Sequence, residues 1–428
     1  MIEIKNSGVD WLGEIPEHWE VRRLKDVTIL NPNYNGCDLE GEVSFVPMES
    51  LRCGQIDLQE IEFGEAKGKY TYFADEDLLV AKVTPCFENG NIALAKGLKQ
   101  GVGYGSSEIF VLRCNGILNR YLFYYSLSNV FQGRACSTMC GVGGLKRISP
   151  LFMRTHQFAI PPLAEQQAIA DYLDKKTAEI DEQVALLEKK RESYNKLKRS
   201  LIINVVTRGL NPTAELKDSG IEWIGEIPEH WVIKRFKEMF RHYSTGFTPD
   251  SKDMNYFADD EINTWVTIAD LVDKYIVDSN MFLSDKAIND YAPILSPKGS
   301  LLFSFKLSVG KTAFAGKNLY TNEAIVTIPP QRNNDLRYFY YLIPEACANN
   351  ATENIYGAKM LNQKIIANMI LFAPPIEEQR AISDYLDKKT AEIDSNISAI
   401  SSKIDAYKRL KQSLIDEVVT GKRRIEKA

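Results

Sequence analysis

The sequence has little that would anchor it in a membrane, staple it with disulfides or supply an active site. No apolar run approaches the ~18 residues that a membrane-spanning helix needs. The opening stretch MIEIKNSGVDW lacks the apolar region of a secretory signal, so a cytoplasmic protein is expected. The seven cysteines (Cys37, Cys53, Cys86, Cys114, Cys136, Cys140 and Cys347) are odd in number, scattered and without a CxxC pair. Free thiols are therefore expected, not a disulfide or zinc framework. Positive charge is not in excess either: the formal net charge is −5. That removes the global basic signature of nucleic-acid binding but leaves room for a locally basic face.

Motifs for chemistry are equally sparse. VGKT at 309–312 lacks the glycine a phosphate-binding loop requires five residues before Gly310, where Phe305 stands. NPNY at 31–34 resembles the Asn-Pro-Pro-Tyr motif of amino-methyltransferases, but Asn33 occupies its third position and no glycine-rich nucleotide turn accompanies it; turn residues explain it better. EAK at 65–67 has no upstream Pro-Asp of a nuclease site, and Cys136 and Cys140 lack partners for a metal. Histidine is scarce, with four in the chain. His18 and His230, set among Glu14, Glu17, Glu226 and Glu229, could suggest acid–base work. Each follows Ile-Pro and precedes Trp at the entrance to a domain, so a packing role is expected for both. No catalytic residue, metal site or cofactor is expected, and a binding protein is.

What the chain does have is itself, twice. SGVDWLGEIPEHWEVRRLKDV at 7–27 returns as SGIEWIGEIPEHWVIKRFKEM at 219–239. PPLAEQQAIADYLDKKTAEID at 161–181 returns as PPIEEQRAISDYLDKKTAEID at 374–394, at almost the same shift. The order block–variable region–block is therefore duplicated. The variable regions align faintly: DLLVAKV (77–83) faces SLLFSFKL (300–307), SSEIFVL (106–112) faces TNEAIVTI (321–328) with Glu108 opposite Glu323, RYLFYY (120–125) faces RYFYYL (337–342), and CGVGGLKRI (140–148) faces YGAKMLNQKI (356–365). Near-identical frames around diverged inserts suggest one scaffold carrying two recognition surfaces. Short β-rich runs, an aromatic helical run and glycine loops make each region α/β or α+β.

After Pro161-Pro162 no Gly or Pro appears until Gly209. Core-tolerant residues fall at Leu173, Thr177, Ile180, Val184, Leu187, Arg191, Tyr194, Leu197, Leu201 and Val205. The second copy reads Leu386, Thr390, Ile393, Ile397, Ile400, Ile404, Tyr407, Leu410, Leu414 and Val418. Steps of three and four mark a coiled-coil seam. The spacing predicts two long helices, each roughly 65 Å, that pair antiparallel and give the chain a pseudo-twofold internal repeat. Their charged outer faces read as solvated surface.

Duplicated frames, divergent inserts, PP(L/I)xEQ leading into long helices and repeated WxGExPxHW blocks together resemble the specificity subunit of type I restriction-modification systems, over the whole chain. The resemblance implies a first target-recognition domain with its repeat segment over 1–158, a first spacer helix over 159–208, a second domain over 209–371, and a second spacer helix with the C-terminal tail over 372–428. It implies that each domain reads one half of a bipartite double-stranded DNA site while the helices set the gap. Two DNA-methyltransferase subunits and two motor-nuclease subunits would be partners, holding the S-adenosylmethionine, ATP and Mg sites that this chain lacks. A subunit serving a methyltransferase alone, a stand-alone enzyme and a coiled-coil scaffold without DNA readout are the alternatives. Differing heads predict an asymmetric pair of half-sites.

Groove contact needs polar side chains on loops, with cations for phosphates. Loops that align yet differ in side chain place the first set at Lys82, Thr84, Asn89, Asn91, Ser106, Ser107, Lys146 and Arg147. The second set is Lys306, Ser308, Lys311, Thr321, Asn322, Lys359, Asn362, Gln363 and Lys364.

Overall fold

The repeated blocks lock onto each other, and this interlock organises the chain. In the computed structural model, which describes residues 3–142, 144–259, 262–306, 308–353 and 359–425, the uninterrupted stretches form two helices, Leu163–Arg208 and Ile376–Val419. Gln166 and Gln379, the last residues of the two PPxxEQ motifs, are buried at the helix starts. Each donates its amide to a proline carbonyl five residues back, 2.9 Å to Pro161 and 2.9 Å to Pro374. Each also accepts a backbone N–H from its head, 2.7 Å from Leu118 and 2.8 Å from Asp335. One buried amide, bonded through both its nitrogen and its oxygen, thereby fixes each helix start to the N-cap residue of a head helix. Both helices run out into glycines of positive φ, Gly209 at +73° and Gly421 at +75°, the left-handed step that ends a helix.

The chain divides into two compact units, Met1–Lys189 with Ile400–Ala428, and Lys190–Ala399. In each, the first half of the helix that follows the head packs with the second half of the other helix. Within the first unit Leu173 and Ile180 share one core with Leu414, Ile415, Val418 and Val419. Within the second, Leu386 and Ile382 share one with Val205 and Val206. Asp181 pairs with Lys411 at 2.7 Å in the first unit, and Lys198 with Asp394 at 2.6 Å in the second. Rising numbers in one helix meet falling numbers in the other, so the helices are antiparallel.

The first head is built on an antiparallel four-stranded sheet in the order Ile92–Leu94, Leu78–Ala81, Ile109–Cys114, Thr28–Leu30. A second four-stranded sheet, Gln59–Glu62, Glu42–Val46, Val102–Gly105, Thr71–Ala74, has its middle pair parallel. The second head uses one five-stranded sheet, Ser244–Thr245, Ile325–Ile328, Leu301–Ser304, Thr312–Ala315, Tyr275–Ile276. Its central register, Leu301 opposite Ile328 and Ser304 opposite Ile325, repeats that of Leu78 with Leu112 and Ala81 with Ile109 in the first head. This register makes Lys82 equivalent to Phe305. It also corrects the expected match of Glu108 with Glu323: Lys82 N–H donates to the Glu108 carbonyl, whereas Phe305 N–H donates to that of Ala324. The two turns are equally long, since Ile109 N–H donates to Ser106 O as Ile325 N–H does to Asn322 O, so the second glutamate stands one place earlier, at the position of Ser107.

Most of the expected seam is apolar surface removed from water. Leu173, Ile180, Leu386, Ile393, Ile400, Ile404 and Leu414 are buried, and Val184, Leu187, Leu201 and Ile397 are half-buried. Leu197 and Leu410 are not part of it, being 54% and 52% exposed. An α-helix drifts by about 20° per heptad against a strict seven-residue repeat, enough to carry such positions off the contact face. Leu386→Ala should therefore cost about 2–5 kcal/mol in thermal or urea unfolding. Leu197→Ala and Leu410→Ala should stay within about 0.5 kcal/mol of the parent.

Candidate nucleic-acid interface

In the first head three loops are tied into one cluster by main-chain bonds. Lys82 N–H donates to Glu108 O, Ile148 N–H to Lys82 O, and Thr84 N–H to Lys146 O, at 2.9, 2.9 and 3.0 Å. The Thr84 hydroxyl donates to Gly144 O at 2.8 Å and accepts from Lys146 N–H at 2.9 Å. The third loop is a hairpin of strands Cys140–Val142 and Leu145–Arg147. Six of the eight expected contact residues therefore share one patch: Lys82, Thr84, Ser106, Ser107, Lys146 and Arg147. Lys146, Arg147 and Ser107 are exposed there. Asn89 is exposed on the neighbouring turn, 3.0 Å from Pro85 O through its N–H. Thr84 and Asn91 are buried, Thr84 with its hydroxyl spent on the hairpin, and neither can enter a groove.

Charge is concentrated around Glu108. The Arg147 guanidinium grips its carboxylate through Nε at 3.0 Å and Nη2 at 2.7 Å. This bonding holds Glu108 below the ordinary carboxylate range and Arg147 above its own. Lys82 lies alongside, its ammonium 2.6 Å from Ser107 O and 4.6 Å from the Phe110 ring centre. Burial pulls its pKa below the usual lysine value.

The second head gathers its candidates differently. Lys306, Ser308 and Lys311 belong to the loop after strand Leu301–Ser304, which Ser304 closes by donating to Ser308 O and accepting from Lys311 N–H. Ser308 and Lys311 are exposed, and Lys306 is half-buried. Leu361 N–H donates to Phe305 O at 3.0 Å and brings the 359–364 segment alongside. Gln363 and Lys364 are exposed at the start of helix Gln363–Asn368, with Gln363 3.3 Å from the Thr245 hydroxyl. Asn362 is that helix's N-cap, accepting from Ile365 N–H at 2.9 Å, so its side chain serves the helix. Thr321 is buried and also leaves the set, while Asn322 is half-buried and its Oδ1 accepts from Ala324 N–H at 3.2 Å. Lys359 begins strand Lys359–Met360, and its side chain lies outside the described residues.

The two histidines are not packing residues. His18 Nε2 lies 2.7 Å from Glu165, and His230 Nε2 lies 2.8 Å from Glu378, with side chains 55% and 53% exposed. The adjacent Trp19 and Trp231 are the buried members of the motif. Each pair ties the repeated segment to the first turn of a long helix. A second tie recurs that was not singled out from the sequence: Tyr124 donates to Asp174 and Tyr341 to Asp387, both at 2.6 Å. Arg120 bonds Asp171 and Asp174, and Arg337 bonds Asp384. The signal was present, since RYLFYY is answered by RYFYYL and DYLDKKT returns unchanged in the second half. Among the described residues, no cluster of three or more His, Cys, Asp or Glu could hold a metal, all seven cysteines are free, and no helix is long and apolar enough to cross a membrane.

A duplicated α/β head on a frame of two antiparallel helices, each head presenting a loop cluster that differs from the other's, defines a two-headed recognition protein of the DNA-specificity class. The profile of the type I restriction modification DNA specificity domain matches residues 16–190 and again 228–405, and the chain belongs to that family. It is 38% identical over 167 residues to the EcoEI specificity subunit of Escherichia coli, a match covering 38% of this chain and 28% of that one. The stretch shared with the EcoAI specificity subunit covers 27% of that relative, so the chain matches less than two thirds of either. Across 97% of its length it is 24% identical to the putative type I MjaX specificity subunit of Methanocaldococcus jannaschii, covering 96% of that protein. In fold it is similar to a chain of a solved type I restriction-modification system, with a TM-score of 0.76 at 19% identity over 95% of this chain and 98% of that one. It is also similar to the HsdS subunit of Thermoanaerobacter tengcongensis, with a TM-score of 0.53 at 21% identity over 95% and 98%.

Proposed function

We propose that the protein is the DNA-specificity subunit of a type I restriction-modification complex. Each head reads one half of an asymmetric bipartite target, and the continuous helices set the gap. The chain is non-catalytic and directs two methyltransferase and two motor-nuclease subunits, on which S-adenosylmethionine, ATP and Mg are bound. The observation that carries this reading is the contrast within the chain: the frame contacts recur residue for residue, while the loop clusters differ. A scaffold binding only proteins has no need of two such dissimilar clusters on one frame.

Methylated-base sequencing of DNA modified by the chain together with its methyltransferase subunits tests the reading. A split motif with unlike halves is expected, and a continuous or palindromic motif would sink it. The isolated chain should transfer no methyl groups. Modification without any restriction in the full complex would point to the methyltransferase-only form.

A further inference from the structure

Ion pairs of the frame are duplicated, but the charged cluster of the first head is not. His18–Glu165 returns as His230–Glu378, and Arg120 with Asp171 as Arg337 with Asp384. Register fixes what stands at the equivalent places of the Lys82–Glu108–Arg147 cluster. Lys82 corresponds to Phe305 and Glu108 to Ala324, because Phe305 N–H donates to Ala324 O as Lys82 N–H does to Glu108 O. Arg147 corresponds to Met360, because Ile148 N–H donates to Lys82 O as Leu361 N–H does to Phe305 O. Three charged residues on one side are three apolar residues on the other. The cluster, unlike the frame pairs, lies on exposed loops at the end of the sheet. It belongs to what distinguishes one head from the other.

We infer that Arg147, held by Glu108, reads a guanine in the half-site of the first head, and that Glu108 is its positioning residue. This rests on the DNA-specificity reading above and names the base class for one of its contacts. Glu108 occupies the Nε–Nη2 edge of the guanidinium. The Nη1 donors and the second Nη2 proton are left for another acceptor, and a guanidinium presented this way fits the paired O6 and N7 acceptors of guanine. The side chain, 48% exposed, stands on a hairpin strand whose three residues are all exposed. Its conformation is already selected before DNA arrives, which lowers the ordering cost of the contact. The neighbouring carboxylate repels phosphate and so favours a base edge over the backbone. Met360 at the equivalent position offers no such donors, so the second head reads its half-site by other means.

The test is methylated-base sequencing with the complete complex, comparing the parent with Arg147→Gln, Arg147→Lys and Glu108→Gln. Arg147→Gln should relax one guanine position in one half-site, cutting discrimination there roughly ten- to hundredfold, with the other half-site unchanged as the internal control. Glu108→Gln should relax the same position by less. Arg147→Lys should not restore it, since a lysine keeps the charge but not the fork. An even loss of methylation with base preference intact would mean a phosphate contact and overturn the inference, and so would full base preference kept by lysine, which would show that the guanidinium fork does not read the base. So would a motif unchanged in all three variants. These outcomes leave the bipartite reading standing; a parent complex that yields no split motif would instead remove the reading itself.

Discussion

Removing residues 400–428 should unfold the first head and leave the second intact. The second long helix contributes Leu414, Ile415, Val418 and Val419 to the first unit's core, each less than a tenth exposed. At about 1.5–3 kcal/mol per buried side chain, their loss is of the order of a domain's whole stability, about 5–15 kcal/mol. Polar partners go with them. Tyr121 donates to Val419 O, Asn129 donates to Asp416 through its backbone N–H and its amide, and Gln412 donates to Leu127 O. A side chain at Gly421 would meet Pro16 at 2.7 Å, so the segment's end is seated against the GEIPEHW motif. The second unit is closed by 190–208, where Val206 O accepts from Tyr338, and keeps every one of its parts. Calorimetry should show one cooperative transition lost and one retained, and limited proteolysis should cut first within 1–189. Equal destabilisation of both units, or of neither, would contradict this division.

The frame was legible because its contacts demand particular side chains. Gln166 and Gln379 must be glutamine to donate to proline and accept from the head at once, and in the second copy the Glu378 carboxylate serves both His230 and the Trp231 ring N–H. Such residues repeat verbatim, and repetition can be read without a structure. The seam was legible as a helical period, but a period does not name the partner. That 400–428 belongs to the first unit follows only from which aromatic and apolar groups meet it.

The loops were read less well, for a physical reason. A short polar residue in a loop can face a groove or satisfy the loop's own backbone, and the two uses look identical in sequence. Thr84 does the second with both its hydroxyl proton and its lone pair. Asn362 does so as a helix cap. Lys82, Lys146 and Arg147 were singled out because their loops align between the copies yet differ in side chain, and because the glycines before Lys146 permit close backbone approach. Glu108 was noticed but matched to Glu323, one place off, because two glutamates align readily in sequence and only the strand register assigns Ala324 to its position.

Acid should loosen the first head before the second. His156 is 4% exposed, enclosed by Trp11, Tyr125, Phe131, Phe152 and Phe158. Its Nε2 meets the Tyr125 hydroxyl at 2.8 Å, and Arg134 lies over Trp11 at 4.2 Å from the ring centre. Burial, with the Arg134 charge adding to it, lowers its pKa from 6.5 to about 4. The unfolded chain therefore takes up a proton near pH 6.5 that the folded head refuses until about pH 4. Between those values the unfolded state holds more protons, so stability falls as pH falls, by about 3 kcal/mol in total at 1.36 kcal/mol per unit. Above the window the group contributes no pH dependence. The second head supplies the control, because Met369 stands where His156 does: Phe236 N–H donates to Met369 O as Leu24 N–H does to His156 O. In His156→Met the loss of the Tyr125 bond should lower stability at neutral pH, yet the slope between pH 6.5 and 4 should flatten for the first unit's transition. Urea midpoints measured across that range for parent and variant decide it, and parallel slopes would show that another group carries the proton.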